Sequence, residues 1–158
     1  MRTRPAVAAD AQVASAVLVA SITELCDADH HGNAGVLGSW LADKTPAALV
    51  ARIASGGVFV AEVSGKLVAV GELSLGGLAS GQGRITLNYV APAARFQGVS
   101  RAMLLRLEAE LAARGCTEGL LTATATATRF YLAAGWRPAG PPRQGRWIVG
   151  HPMRKRLG

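Results

Sequence analysis

Apolar residues recur along the first third of the chain at helical intervals. The stretch from Val13 to Leu25 predicts a helix of roughly four turns, with Asp10 as its N-cap. A second helix, in two pieces, is predicted over residues 36–54, because Thr45-Pro46 is a typical helix start. Between these helices, residues 26–33 are rich in titratable groups and are predicted to form a polar loop.

The middle of the chain changes to the short, β-branched apolar runs that are typical of strands. Residues 58–63 and 67–75 flank a Ser64–Lys66 turn, so they predict an antiparallel hairpin. A strand over residues 84–90 follows a glycine- and serine-rich loop. Further extended segments are predicted at 2–7, 120–123, 136–138 and 146–153.

The stretch from Leu87 to Glu110 predicts a strand, a glycine-containing turn and a long helix that Gly115 ends. The free N–H groups and the positive dipole end of such a helix can bind an anion, and Gly98 lets a ligand approach the backbone. Many junctions of this kind only reverse the chain direction, so the turn alone leaves both interpretations open. A shorter helix over residues 126–134 follows, closed by Gly135.

This order of elements predicts an α+β fold, with helices on both faces of one mixed sheet, an α/β/α sandwich. The 158 residues are enough for one domain with its own core, and we expect a single domain over residues 1–158. Half of the residues are hydrophobic, which excludes an intrinsically disordered chain.

Charge and cysteine content narrow the classes of function. The 17 basic and 10 acidic residues give a net charge of +7, which suits nucleic acid, an acidic membrane or an anionic small molecule. The basic residues are scattered except for Arg154–Arg156, which we interpret as a solvated tail, with a binding patch as the alternative. Cys26 and Cys116 fit neither a disulfide framework nor a zinc site.

No membrane partner is expected, since no apolar run approaches the length of a membrane span. The faint signal-peptide pattern after Met1 is interrupted by Asp10 and Gln12. We therefore expect a cytoplasmic protein.

Two motifs resemble those of the GNAT acetyltransferase superfamily. Residues 90–100, VAPAARFQGVS, are similar to the V-x-P-x-x-R-G-x-G-x-G/A signature, with Phe96 and Ser100 as departures from it. Residues 127–136, ATRFYLAAGW, resemble the A-x-x-F-Y-x-x-x-G-F/Y segment. The hairpin upstream and the order of elements are similar as well.

The resemblance implies an N-acetyltransferase that uses acetyl-CoA as co-substrate. No metal is expected, because the adjacent histidines of the 26–33 loop lack the usual ligand spacing. The amides from Phe96 to Arg101 would hold the pyrophosphate, and the pantetheine arm would lie where strands 87–90 and 120–123 separate. Thr124 stands where many relatives have asparagine. The implied cofactor-binding residues are Val90, Arg95, Phe96, Gln97, Gly98, Val99, Ser100, Arg101, Thr124 and Tyr131.

Tyr131 matches the family tyrosine that protonates the leaving thiolate, although the pattern alone would also suit a core aromatic. Two candidate bases are Glu72, otherwise on a solvated strand face, and His30, which titrates near neutral pH. The candidate substrate-binding residues are Asp29, His30, His31, Trp40 and Asn88, with core packing as the alternative for Trp40.

The leading hypothesis is direct attack of a primary amine on acetyl-CoA in a ternary complex. The alternative is a non-catalytic module that keeps the fold and binds an acyl-CoA as a sensor or a partner surface. Nucleic-acid binding is not expected, because no recognition helix or RNA-binding aromatic pattern is visible. A homodimer is possible by resemblance.

Overall fold

The computed structural model describes all 158 residues. The helices are α1 Ala11–Leu25, α2 Asp27–His30, α3 Ala34–Leu41, α4 Pro46–Ala54, α5 Val99–Ala113 and α6 Thr128–Ala133. The strands are β1 Arg2–Pro5, β2 Val58–Val63, β3 Lys66–Ser74, β4 Gln82–Val90, β5 Glu118–Ala123, β6 Arg137–Pro138, β7 Arg143–Gln144 and β8 Val149–Arg156.

The strands form one mixed sheet in the order β1-β2-β3-β4-β5-β8-β6, with β7 paired to β8. All neighbouring strands are antiparallel except β4 and β5, which are parallel because α5 connects them as a crossover. This arrangement confirms the predicted α+β fold with a mixed sheet.

Two apolar layers hold helices against opposite faces of the sheet. On one face, α5 buries Met103, Leu104, Leu107 and Leu111 in the larger cluster. On the other face, α1 and α4 pack against β2, β3 and β4 in a second cluster that includes Leu18 and Leu49. Burying such side chains contributes about 1.5–3 kcal/mol each.

A β-bulge at Thr86 divides β4 into two parts. Leu73 pairs with Ile85 and Glu72 pairs with Leu87, so Thr86 has no partner across β3. The extra residue reverses the alternation of the strand: Ile85 belongs to the cluster beneath α5, whereas Leu87 belongs to the cluster beneath α1. The pairing of β4 with β5 also ends at Ile85, opposite Leu121. A gap therefore opens between the two parallel strands immediately beyond the bulge.

The structure corrects three sequence predictions at the ends of elements. Residues 26–33 contain the one-turn helix α2 and are not wholly loop. Asp10 lies at the start of α1, but its carboxylate does not cap that helix; it accepts from the Val7 N–H at 2.8 Å and from Arg4. The segment 154–156 lies within β8 and is not a tail.

One helical segment, Ala8–Leu25, is long and apolar enough to cross a membrane by length and composition alone. The sequence expectation that no apolar run reaches this length was therefore wrong. In the fold this segment packs through Ala14 and Leu18 on the sheet, as the core helix of a globular protein does.

Candidate active site

A cleft of about 430 Å³ enters the molecule where β4 and β5 separate. The N-terminus of α5 lines one side of the cleft, and α6 together with the end of α1 lines the others. A narrower extension of about 50 Å³ continues through the gap between the strands. Asn88, Tyr89, Thr124, Ala127 and Tyr131 line both spaces, so they surround the passage from one to the other.

The turn that leads into α5 lies beside the cleft and has six backbone amides without a partner. No protein acceptor receives a hydrogen bond from the N–H groups of residues 96–101. The first bond of the helix joins the Ala102 N–H to the Gly98 carbonyl at 3.0 Å. Free amides and the positive end of a 15-residue helix together form a site that suits an anion.

Two residues with positive φ shape this turn. Gly98 has φ 77°, and a Cβ built on it meets no atom within 4 Å, so this glycine supplies backbone freedom and open space. Phe96 has φ 60° and its side chain is 93% exposed, with the Arg95 guanidinium 4.7 Å from the ring centre. The phenylalanine that departs from the signature therefore points outward and leaves the turn intact.

Asn88 and Tyr131 face each other across the passage. Tyr131 is buried, and this burial raises the pKa of its phenol to about 12, although the neighbouring Asn88 opposes part of the rise. Both polar atoms of the Asn88 side chain are buried without a hydrogen-bond partner in the protein. Since orphaned buried amides cost free energy, Asn88 is a polar group that a bound molecule would satisfy.

Asp29 connects α2 to the loop between β5 and α6 at the edge of the cleft. Its carboxylate accepts from the Ala125 N–H at 2.6 Å and from the Thr126 hydroxyl at 2.6 Å. Thr124 begins the same loop and accepts from the Ala127 N–H at 3.2 Å through its hydroxyl. Asp29 therefore does not line the cleft, but it holds a loop that does.

The structure does not bring Glu72 to the cleft. Its carboxylate accepts from Arg52 at 2.7 Å and from the Thr86 hydroxyl at 2.5 Å, and it lies in a separate surface groove with these residues. Both contacts are made to one oxygen, Oε2, and they hold the carboxylate in this groove, away from the cleft. Glu72 instead supports the bulge at Thr86.

His30 is also occupied by structural contacts. It is buried, and its Nε2 lies 3.1 Å from the carbonyl oxygens of both Ile22 and Thr23, so Nε2 carries the proton. Its Nδ1 accepts from the Gly32 N–H at 2.9 Å. This imidazole closes the end of α1 and faces neither the cleft nor its extension, which corrects its assignment as a base.

The other predicted substrate residues lie in the core, at the surface or in the cleft. Trp40 packs in a small core cluster with Ile22 and Cys26, and His31 is exposed at the end of α2. Of the five predicted substrate residues only Asn88 lines the cleft. Of the predicted cofactor residues all but Gln97 line it, and the Gln97 side chain donates to the Ala93 carbonyl at 3.1 Å.

The family model of the Acetyltransferase (GNAT) domain matches residues 27–157, which is most of the chain. The chain belongs to the GNAT acetyltransferase family. No curated protein sequence matches it.

Solved structures of GNAT proteins share the fold over nearly the whole chain. A GCN5-related N-acetyltransferase from Rhodopseudomonas palustris is 25% identical, with a TM-score of 0.82 over 99% of this chain and 95% of its own. PaiA N-acetyltransferase from Thermoplasma acidophilum, solved with coenzyme A, is 16% identical, with a TM-score of 0.76 over 99% and 98%. YncA from Salmonella typhimurium, solved with acetyl-CoA, is 21% identical, with a TM-score of 0.70 over 100% and 94%.

Several residues of the cleft wall in this GNAT chain were not predicted from the sequence. Ser21, Leu25 and Cys26 come from the end of α1, and Tyr89 and Phe130 come from β4 and α6. Burial raises the pKa of the Cys26 thiol to about 12 and also raises that of Tyr89. Their signal in the sequence is that of ordinary core residues, because the apolar spacing that buries a side chain does not distinguish a cleft wall from a core.

Proposed function

We propose that this GNAT protein transfers an acetyl group from acetyl-CoA to a primary amine, by direct attack in a ternary complex. The observation that carries the proposal is the set of six free amides at residues 96–101, at the mouth of a cleft that continues through the sheet to Tyr131. Anion binding and group transfer then take place at two ends of one passage.

The cofactor half of the proposal rests on charge and backbone geometry. The amides of the turn would hold the pyrophosphate, and Arg95 and Arg101 line the same end of the cleft. Neither arginine forms an ion pair within the protein, so both are available for charge-assisted contacts with phosphate. PaiA and YncA, which share the fold, were solved with coenzyme A and acetyl-CoA respectively.

The chemical half involves groups that face the gap. The Ala91 N–H donates to the Val68 carbonyl of β3 at 2.7 Å. Strand alternation therefore turns the Val90 N–H toward the gap, where it would polarise the thioester carbonyl. Asn88 would position the attacking amine through its unpartnered side chain. Tyr131 would donate its proton toward the leaving sulfur, since its raised pKa keeps the phenol protonated at neutral pH.

The proton of the acceptor amine leaves without a side-chain base in this proposal. The cleft and its extension are lined by no carboxylate and no histidine, and both predicted bases are engaged elsewhere. The acceptor then reacts as the free amine, and water carries the proton away. Catalysis comes mostly from positioning, which supplies about 7 kcal/mol or more in well-oriented systems.

The test is titration calorimetry of acetyl-CoA and of CoA against the wild type and two matched variants. Gly98→Trp fills the turn, whereas Gly115→Trp places the same side chain at the far end of α5. Both glycines have positive φ and open surroundings, 77° and 84°, so backbone strain is matched between the variants.

We expect micromolar binding to the wild type and to Gly115→Trp, and none to Gly98→Trp. An amine screen with acetyl-CoA then reports acetylation by mass spectrometry. Equal loss of binding in both variants would show that strain, not the ligand site, explains the effect. No binding to the wild type would contradict the proposal.

A further inference from the structure

The sheet has an uncovered face beside the gap, on the side opposite α5. The register places Arg84, Leu120 and Arg154 in one row across β4, β5 and β8. Met153 and Leu121, one residue along, are buried in the cluster beneath α5, so alternation turns this row to the other face. Arg154 is exposed and Arg84 is half-buried, because α1 and α4 cover only the strands on the other side of the bulge.

These two arginines have no carboxylate partner. Neither forms an ion pair within 4 Å, although six of the ten acidic residues of the chain take part in such pairs. Glu118 lies on the same face in the next row, opposite Arg156, and accepts from Gln82 at 2.9 Å. An arginine without a carboxylate partner is free to make bidentate contacts with a carboxylate or a phosphate.

The row lies next to the passage through which an acceptor would reach the acetyl group. Thr86 and Thr122 line the extension of the cleft and are exposed. They follow Arg84 and Leu120 by two residues, roughly 7 Å along each strand. An arginine side chain is long enough to bridge that distance, so both arginines are within reach of a molecule whose amine enters the gap.

The carboxylates near this entrance are engaged, and Glu118 lies one row farther away and accepts from Gln82 at 2.9 Å. Glu72 and Asp43 both pair with Arg52, and Lys44 also contacts Asp43. A polycationic amine would therefore meet unpaired arginines and neutralised carboxylates. An amine that carries an oxyanion would meet complementary charge.

We infer that the acceptor of this enzyme is an amine that also carries a carboxylate or phosphate group, which Arg84 and Arg154 bind. This inference rests on the proposed function. It assigns the two arginines to substrate specificity and excludes polyamines and aminoglycosides as preferred acceptors.

The experiment compares acceptors that differ in distal charge and little else. The pairs are glutamate with glutamine, alanyl-glutamate amide with alanyl-glutamine amide, and 2-aminoethyl phosphate with ethanolamine; spermidine and kanamycin serve as polycations. The first two pairs detect a carboxylate and the third a phosphate. Each acceptor is assayed at saturating acetyl-CoA with the wild type, Arg84→Gln, Arg154→Gln and Arg156→Gln.

We expect kcat/KM to be at least about tenfold higher for the anionic member of a pair than for its neutral partner. Arg84→Gln and Arg154→Gln should each remove most of that preference and leave the neutral member within twofold. Arg156→Gln is the matched control, since Arg156 lies on the same face, one row farther from the gap and opposite Glu118. It should reduce the preference less than threefold.

Two results would overturn the inference. Equal or faster acetylation of neutral or polycationic amines would do so while leaving amine acetylation itself established. Acetylation of no amine, with acetyl-CoA binding retained in the calorimetry, would instead refute the amine half of the proposed function and this inference with it.

Discussion

The two sides of the β4–β5 gap are built from different parts of the chain. On the cofactor side, one continuous segment from Val90 to Arg101 supplies free amides, two positive-φ residues and the start of a helix. On the acceptor side, single side chains from β4, β5, β8 and the helices meet across the sheet. The first is a backbone site, and the second is a side-chain site.

The two sides differ in whether their polar groups already form hydrogen bonds or ion pairs within the protein. The amides at residues 96–101 are free, whereas Glu72, His30 and Asp29 on the other side all hold protein partners. Chemistry in this protein therefore depends on groups that the fold leaves unsatisfied: the turn, Asn88 and the Tyr131 phenol. Altering one of these groups at a time separates the contributions of the two sides.

The largest expected effect comes from Tyr131→Phe. Because the hydroxyl is the proton donor in the proposed reaction, kcat should fall by about 100-fold or more, within the range for a general acid. The Kd of acetyl-CoA should change less than threefold, since the ring stays in place. With the pKa of this phenol near 12, wild-type activity should show no loss between pH 7 and 10 from ionisation of Tyr131.

Tyr89→Phe is the matched control, because Tyr89 lines the same passage and is also buried deeply enough to raise its pKa. It should lose less than about tenfold in kcat. Stopped-flow kinetics measures the change in kcat, and calorimetry measures the Kd of acetyl-CoA for each variant. Equal kcat values for wild type and Tyr131→Phe would remove the acid from the mechanism, whereas no turnover in either protein would favour the non-catalytic binding module.

Asn88→Leu should have the next largest effect. The leucine is similar in volume, so it keeps the packing but removes the two orphaned polar atoms. We expect the KM of the acceptor to rise about tenfold, in line with a lost buried hydrogen bond, while acetyl-CoA affinity is unchanged. Stability should not fall, since an unsatisfied buried group is lost. A lower stability together with an unchanged KM would show that Asn88 only packs.

The sequence was a good guide to the cofactor side for a physical reason. A turn and the first residues of a helix lie in one segment, so spacing alone brings Arg95, Gly98 and Arg101 together. The antiparallel hairpin of β2 and β3 and the mixed sheet also followed from the pattern of elements. The acceptor side depends on which residues of distant strands pair, and on the bulge at Thr86 that reverses β4. Neither feature has a local signal in the sequence.

The misassigned bases illustrate the same limit. Glu72 and His30 have suitable chemistry, but their partners Arg52 and Gly32 come from other elements or from turn geometry. A residue type shows what a side chain is able to do, whereas only the fold shows which of its atoms are still free. The same holds for the basic cluster Arg154–Arg156. Its charges do not act as one patch, because Lys155 turns to the other face of the sheet and pairs with Glu108.

His30→Ala and Glu72→Gln should act on stability more than on chemistry. Removing the imidazole takes away a donor to the Ile22 and Thr23 carbonyls and leaves the Gly32 N–H without its acceptor, at a cost of about 1–3 kcal/mol. We expect kcat within threefold of wild type, with the unfolding midpoint in urea lowered. A 100-fold loss of kcat at unchanged stability in either variant would identify a base that acts in the reaction.

Asp29→Asn should have the smallest effect and is the most direct test of how the two sides communicate. The asparagine oxygen can still accept from the Ala125 N–H, but the charge-assisted contact with the Thr126 hydroxyl weakens. We expect faster hydrogen exchange at Ala125 and Thr126 and about a threefold weaker acetyl-CoA complex, because the loop that Asp29 holds lines the cleft. Asp27→Asn is the control: Asp27 lies on the same short helix and is exposed. If exchange in the loop were equal in both variants, α2 would not order the cleft, and the acceptor side would influence cofactor binding only through the passage at Asn88.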